Sequence, residues 1–201
     1  MMNYIKKSLA LVTVVTKKMA TNEPQQLELL KERLKSQLGA PVGMHMSGIA
    51  LGISTILAIF CYAMPQVSVW MLLFQWLNLP EYKVLLGVFV GAVIYCVLIM
   101  STMLLAARGS LIGYKSYLAV IALTGVVAAI YFIYTWSLFI FHSVNNYTPQ
   151  MTSLLGLGFF FLNVIWMNSS FFYRSIALVL HNRIWRKQLK IEKYNISRCK
   201  N

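Results

Sequence analysis

The side chains that commonly carry chemistry are few in this chain and sit at its margins. Its histidines are His45, His142 and His181, and its acidic residues are Glu23, Glu28, Glu32, Glu81 and Glu192. General acid–base catalysis needs an ionisable group held beside the reacting atom. A zinc-like ion needs three or four His, Cys or carboxylate ligands brought to one point. On the topology derived below, His142 falls on the opposite face from His45 and His181, so one copy cannot gather the three. Cys61, Cys96 and Cys199 form no C-x-x-C pair and read as two small apolar side chains and one exposed thiol. No glycine-rich phosphate loop and no nucleophile elbow occurs. The residues predict no enzyme, no metal site and no cofactor.

Two periodic sets remain, and both concern recognition rather than catalysis. Gly156, Asn163, Ser170 and Ala177 recur every seven residues, with Met167 and Arg174 between them, which predicts one small and polar helical face. Asn168 and Ser169 broaden it. In lipid, amide and hydroxyl groups are better satisfied against a second helix than against acyl chains. The face therefore predicts packing within a bundle, or contact with a partner or a second copy. A pore lined by Asn163, Asn168 and Ser170 is the remaining alternative. The other set is Leu27, Leu30, Leu34 and Leu38, the apolar face of a helix predicted over 22–38. Asn22 is its N-cap, Gln25 stands close to a capping-box position, and Gly39 with Pro41 ends it. Such a helix either lies on a membrane surface or docks on a partner.

The elements that must position these residues follow from composition. The 201-residue chain is 59% hydrophobic and 11% charged, against about 25% charged for a soluble domain. Residues 46–64, 84–107, 116–141 and 153–173 hold no Asp, Glu, Lys or Arg. Crossing a bilayer takes about 20 helical residues, so each stretch meets or approaches a span. Four buried core helices are excluded, because too little polar sequence remains to cover them. Residues 66–79, closed between Pro65 and Pro80, are apolar but short, and Trp70 and Trp76 suit an interfacial segment.

Charge placement selects the topology. Seven Lys/Arg precede the first span, Arg108 and Lys115 lie between the second and third, and eight run from Arg174 onward. With four spans, 17 of the 18 positive charges fall on one side, as the positive-inside bias requires. A fifth crossing through 66–79 would separate the two basic ends. The net charge of +13 is thus read as setting orientation and meeting anionic headgroups, not nucleic acid.

Outside the spans, residues 8–16 form a short apolar run between two lysine pairs. It is too short to cross and lacks a cleavage site, and Met19 is an alternative start. Asn146-Tyr147-Thr148 and Asn195-Ile196-Ser197 have the form of glycosylation acceptors. Gly48/Gly52, Gly87/Gly91 and Gly125/Ala129 are small-xxx-small pairs that permit close helix approach. The helix of the fourth span is expected to continue into the basic segment beyond 173, where Ile184, Leu189 and Ile191 offer a loose apolar face. The extramembrane parts are each too short to fold alone.

The expectation is an all-α membrane protein. It is a four-transmembrane-helix bundle with a cytoplasmic amphipathic N-terminal region (1–43), a membrane domain (44–180) and a basic C-terminal helical tail (181–201). This layout is similar to that of plasmid entry-exclusion proteins and colicin-immunity proteins of the bacterial inner membrane. The resemblance implies a non-enzymatic protein that recognises another membrane or envelope protein, or itself, besides anionic lipid. A small oligomeric channel or transporter subunit is the alternative.

Overall fold

The computed structural model describes residues 3–20, 24–38, 48–141 and 147–199. Among these the regular elements are helical: α1 (Asn3–Met19), α2 (Pro24–Leu38), α3 (Ile49–Ala63), α4 (Gln66–Trp76), α5 (Val84–Ala107), α6 (Leu111–Phe141), α7 (Thr148–Met167) and α8 (Ser170–Cys199), with a 3-10 turn at Glu81–Lys83. Four segments are long and apolar enough to cross a membrane: Ile49–Trp76, Val84–Ala107, Leu111–Ile140 and Thr148–Met167. Asn22, Gly39, Pro41, His45, His142 and Asn146 lie outside the described residues.

The chain divides into two compact units, one from Ile53–Thr102 with Ser116–Trp166, the other from Met1–Gly52, Met103–Lys115 and Met167–Asn201. In the former, one edge of α6 supplies a buried seam. Tyr117, Ile121, Thr124, Ala128, Tyr131 and Thr135 of α6 are buried and alternate steps of four and three residues, the spacing of a helix that keeps one edge against its neighbours. The outer faces are apolar: Leu85, Leu86, Phe89, Val93, Ile94 and Val97 of α5 stand exposed.

The segment over 66–79 is a helix, α4, and it follows α3 after an interruption at Pro65. Proline has no N–H, so the Cys61 carbonyl loses its i+4 donor and the helix breaks; bonding resumes with Val69 N–H to Pro65 O at 2.9 Å. The end of α4 is set by Asn78, whose φ of 53° lets Leu79 N–H reach Phe74 O at 2.8 Å, a Schellman closure before Pro80. Trp70 of α4 lies over Gly87 and Gly91 of α5, where an added Cβ would come within 2.8 and 3.1 Å of the indole.

In the other unit, α1 and α2 both pack on α8. Val12, Val15 and Met19 from α1, Leu27, Leu30, Leu34 and Leu38 of α2, and Phe172, Ile176, Leu180 and Ile184 of α8 form its core. Segments each too short to fold alone thus make one packed unit together. At its edge α5 ends in a second Schellman closure. Gly109 adopts φ 77°, Gly109 N–H bonds Ala106 O at 2.8 Å and Ser110 N–H bonds Leu105 O at 3.3 Å. Helix α6 starts at once, so the link expected over 108–115 shrinks to 108–110. Gly113 makes that possible, since a Cβ there would meet the Leu105 backbone at 2.6 Å.

The fourth span departs most from expectation. It begins at Thr148 rather than 153, because Pro149 sits in the first turn, where no N–H partner is needed. It stops at Met167 and does not continue into the basic segment. Ser169 Oγ accepts the Phe172 N–H at 3.1 Å, the capping bond of a new helix, and α8 begins there.

Candidate functional site

The break at 168–169 divides the polar face proposed for the fourth span. Gly156, Asn163 and Met167 belong to α7 and are buried; Ser170 and Arg174 belong to α8 and are exposed, and Ala177 is buried on that same helix. The seven-residue repeat is therefore not one continuous face, since the heptad geometry requires an unbroken helix. Gly156 faces the interruption in α3, with an ideal Cβ 3.4 Å from Cys61 O and from Pro65 Cδ. Asn163 Oδ1 accepts from Ser54 Oγ at 2.6 Å. Asn168 turns elsewhere, its Oδ1 accepting from Tyr4 N–H at 3.0 Å.

The Asn163–Ser54 bond is one of several between helices of the same unit. Thr55 and Tyr117 share a bond at 3.1 Å. Tyr95 donates to Ala58 O at 3.2 Å and lies 3.1 Å from Thr124 Oγ1. Thr135 donates to Ser153 at 3.1 Å. Together these join α3, α5, α6 and α7 through hydroxyl and amide groups alone. Sequence reasoning named only Asn163. Tyr117, Thr124 and Thr135 were legible as polar members of the 3/4 repeat in α6. Ser54, Thr55 and Ser153 carry no such signal, since isolated Ser and Thr hydroxyls in apolar helices commonly bond their own backbone, and Tyr95 is a single tyrosine in a largely apolar helix.

The leucine face of α2 is not a free docking surface. Leu27, Leu30, Leu34 and Leu38 are all buried, covered by the chain's own helices in the unit where α2 packs on α8. Its cover comes mainly from α8, more than a hundred positions later, with α1 alongside Leu30 and Leu34. The small-residue pairs also serve a different end. A Cβ at Gly48 or Gly52 would meet nothing within 4 Å, whereas Gly125 seats the Phe160 ring, which would stand 2.1 Å from that Cβ.

Two of the cavities lined within single units carry polar groups that bear on function. One, of about 270 Å³, lies among α4, α6 and α7 and is lined by Met71, Gln75, Tyr131, Thr135 and Gln150 among others; the Tyr131 hydroxyl is buried without a hydrogen-bond partner. The other, of about 480 Å³, is lined by Thr16, Met19, Ala20, Arg108, Arg183, Arg186, Lys187 and Lys190. Arg183 Nη1 donates to Gly109 O and Lys187 Nζ to Met19 O. Each carbonyl lies at a helix C-terminus, where the dipole favours a cation. The four α8 cations stand at i, i+3, i+4 and i+7, so they share a face, and like charges at this spacing oppose the helix by a few tenths of a kcal/mol, roughly 0.2–0.5 per pair.

Among the described residues no group of three His, Cys, Asp or Glu could hold a metal ion. His181 lies on α8 with Nδ1 buried and unbonded, while the other two histidines are outside the described residues. No protein-family model, curated protein or solved structure matches this chain.

Proposed function

We propose that this chain is an integral membrane protein, crossing four times with both ends on the cytoplasmic face, that acts by recognising another membrane or envelope protein. The observation that carries the reading is the use of the polar groups in the apolar helices. Asn163, Ser54, Thr55, Tyr117, Tyr95 and Thr124 bond one another across helices, which suits a fixed scaffold better than a lined passage. The exposed apolar faces of α5 and α6 are what lipid or an apolar partner helix would cover. Helices α3 and α4 cross as one span bent at Pro65, which keeps the basic ends on one side. Entry exclusion, immunity or a secretion-accessory role in a bacterial inner membrane is the most concrete form, supported by the resemblance of layout.

The test is to express the full chain alone in cells and challenge them with conjugation and with pore-forming toxins. Protection against one of them is expected, and unchanged susceptibility to both removes this form. Crosslinking that recovers lipid but no protein, other than a second copy, removes partner recognition more broadly. A channel or transporter subunit is the second reading, favoured by the unpartnered Tyr131 hydroxyl in a cavity. Reconstituted vesicles with no ion or solute flux dispose of it.

A further inference from the structure

We propose that the basic cavity lined by α8, the end of α1 and the α5–α6 turn is a binding site for a phosphate group carried on a ligand. Arg183, Arg186, Lys187 and Lys190 come from one face of α8, Arg108 from the turn, and all five line the same cavity of about 480 Å³. That volume lies within the roughly 300–1,000 Å³ of small-molecule sites. Among the described residues, no acidic side chain is in its lining. Glu192, the acidic residue of α8, is exposed and does not line it.

Two of the cations have a structural task as well. Arg183 and Lys187 close the carbonyl ends near Gly109 and Met19, and those bonds hold their stems in place. Arg108, Arg186 and Lys190 gain nothing comparable: among the described residues their one side-chain hydrogen bond is Arg186 Nε to Asn182 O within its own helix, at 3.3 Å. Thr16 adds a second kind of donor, because its Oγ1 is buried without a hydrogen-bond partner and its side chain lines the cavity. Guanidinium groups, ammonium groups and a hydroxyl converging from three segments match a tetrahedral anion with several acceptor oxygens. A planar carboxylate would use fewer of them. The phosphate could belong to a phospholipid headgroup or to a soluble phosphate ester, and the site chemistry is shared by both. The inference does not depend on which protein partner the chain recognises, nor on its having one.

The test uses the full chain purified in a neutral detergent. It is titrated separately with inorganic phosphate, with dioctanoyl phosphatidic acid, and with dioctanoylglycerol, which is the same lipid without the phosphate. Saturable binding of at least one phosphate probe is expected, with none of dioctanoylglycerol. Tighter binding of the lipid probe than of inorganic phosphate assigns a headgroup; inorganic phosphate binding at least as tightly as the lipid probe assigns a soluble ester. The double variant R108Q/K190Q leaves the helix-closing Arg183 and Lys187 intact and is expected to weaken binding by about tenfold or more. The charge-matched K35Q/K193Q, whose exposed lysines lie off the cavity, should change it by about twofold or less. No saturable binding of either phosphate probe, equal binding of dioctanoylglycerol, or equal loss in both double variants overturns the proposal.

Discussion

The Asn168 side-chain oxygen accepts the backbone N–H of Tyr4 at 3.0 Å, joining residues 164 positions apart. The same break in the chain places Ser169 to cap α8, so one dipeptide starts two helices. An unsatisfied N–H in the first turn of α1 would otherwise face a partly buried environment. Replacing the cap by alanine typically costs about 1 kcal/mol. N168A should lower the unfolding midpoint in detergent and speed amide exchange across residues 3–8, leaving exchange in α5 unchanged. Unaltered exchange at the start of α1 would show that the bond does not hold that helix.

Asn163 and Ser54 should be coupled in stability rather than in permeation. Their bond, at 2.6 Å, is buried, and hydrogen bonds between apolar spanning helices couple by about 0.6 kcal/mol on average and up to about 1.7. A double-mutant cycle of S54A and N163A, read by reversible unfolding in mild detergent, is expected to return a coupling in that range. Altered solute flux in N163A vesicles with unchanged stability would instead favour a pore.

Gly125 should tolerate no side chain while Phe160 is present. A Cβ there would lie 2.1 Å from the Phe160 ring, and overpacking of this kind costs about 1–3 kcal/mol. G125A should therefore unfold at lower temperature, and F160L should restore part of the loss. Gly158, inside α7 where a Cβ meets nothing within 4 Å, is the control, and G158A should be neutral or stabilise by up to about 1 kcal/mol. Equal effects at both positions would contradict the ring seat.

Leu34 should matter to folding and not to docking. At 2% exposed it lies in the core, whereas Leu29 on the same helix is 68% exposed. L34A is expected to destabilise by about 2–5 kcal/mol and to release α2 to limited proteolysis, with L29A leaving the cleavage pattern unchanged. Loss of a captured protein partner in L34A with α2 still protected would return the leucine face to a docking role.

The apolar helices and their lengths were legible because hydrophobicity acts locally: residues 84–107 lack charge, and the helix Val84–Ala107 has those bounds. The amphipathic period of α2 was equally local, whereas α1 showed in the sequence only as an apolar run at 8–16. The end of α7 was harder to read, because Asn168-Ser169-Ser170 suits either a polar helical face or a cap. Only the position of Tyr4 and the start of α8 distinguish them.

By itself the sequence determined four segments long and apolar enough to cross a membrane, an amphipathic α2, and an excess of positive charge at both ends. Tertiary structure alone decided what covers the leucine face, which hydroxyls bond across helices, and that Arg108 joins the four cations of α8 around one cavity. The reason is physical. Periodicity states that a face needs covering, but the covering residues here come from both ends of the chain, most of them from α8. Their choice depends on packing and on closure of distant segments, which no local pattern records.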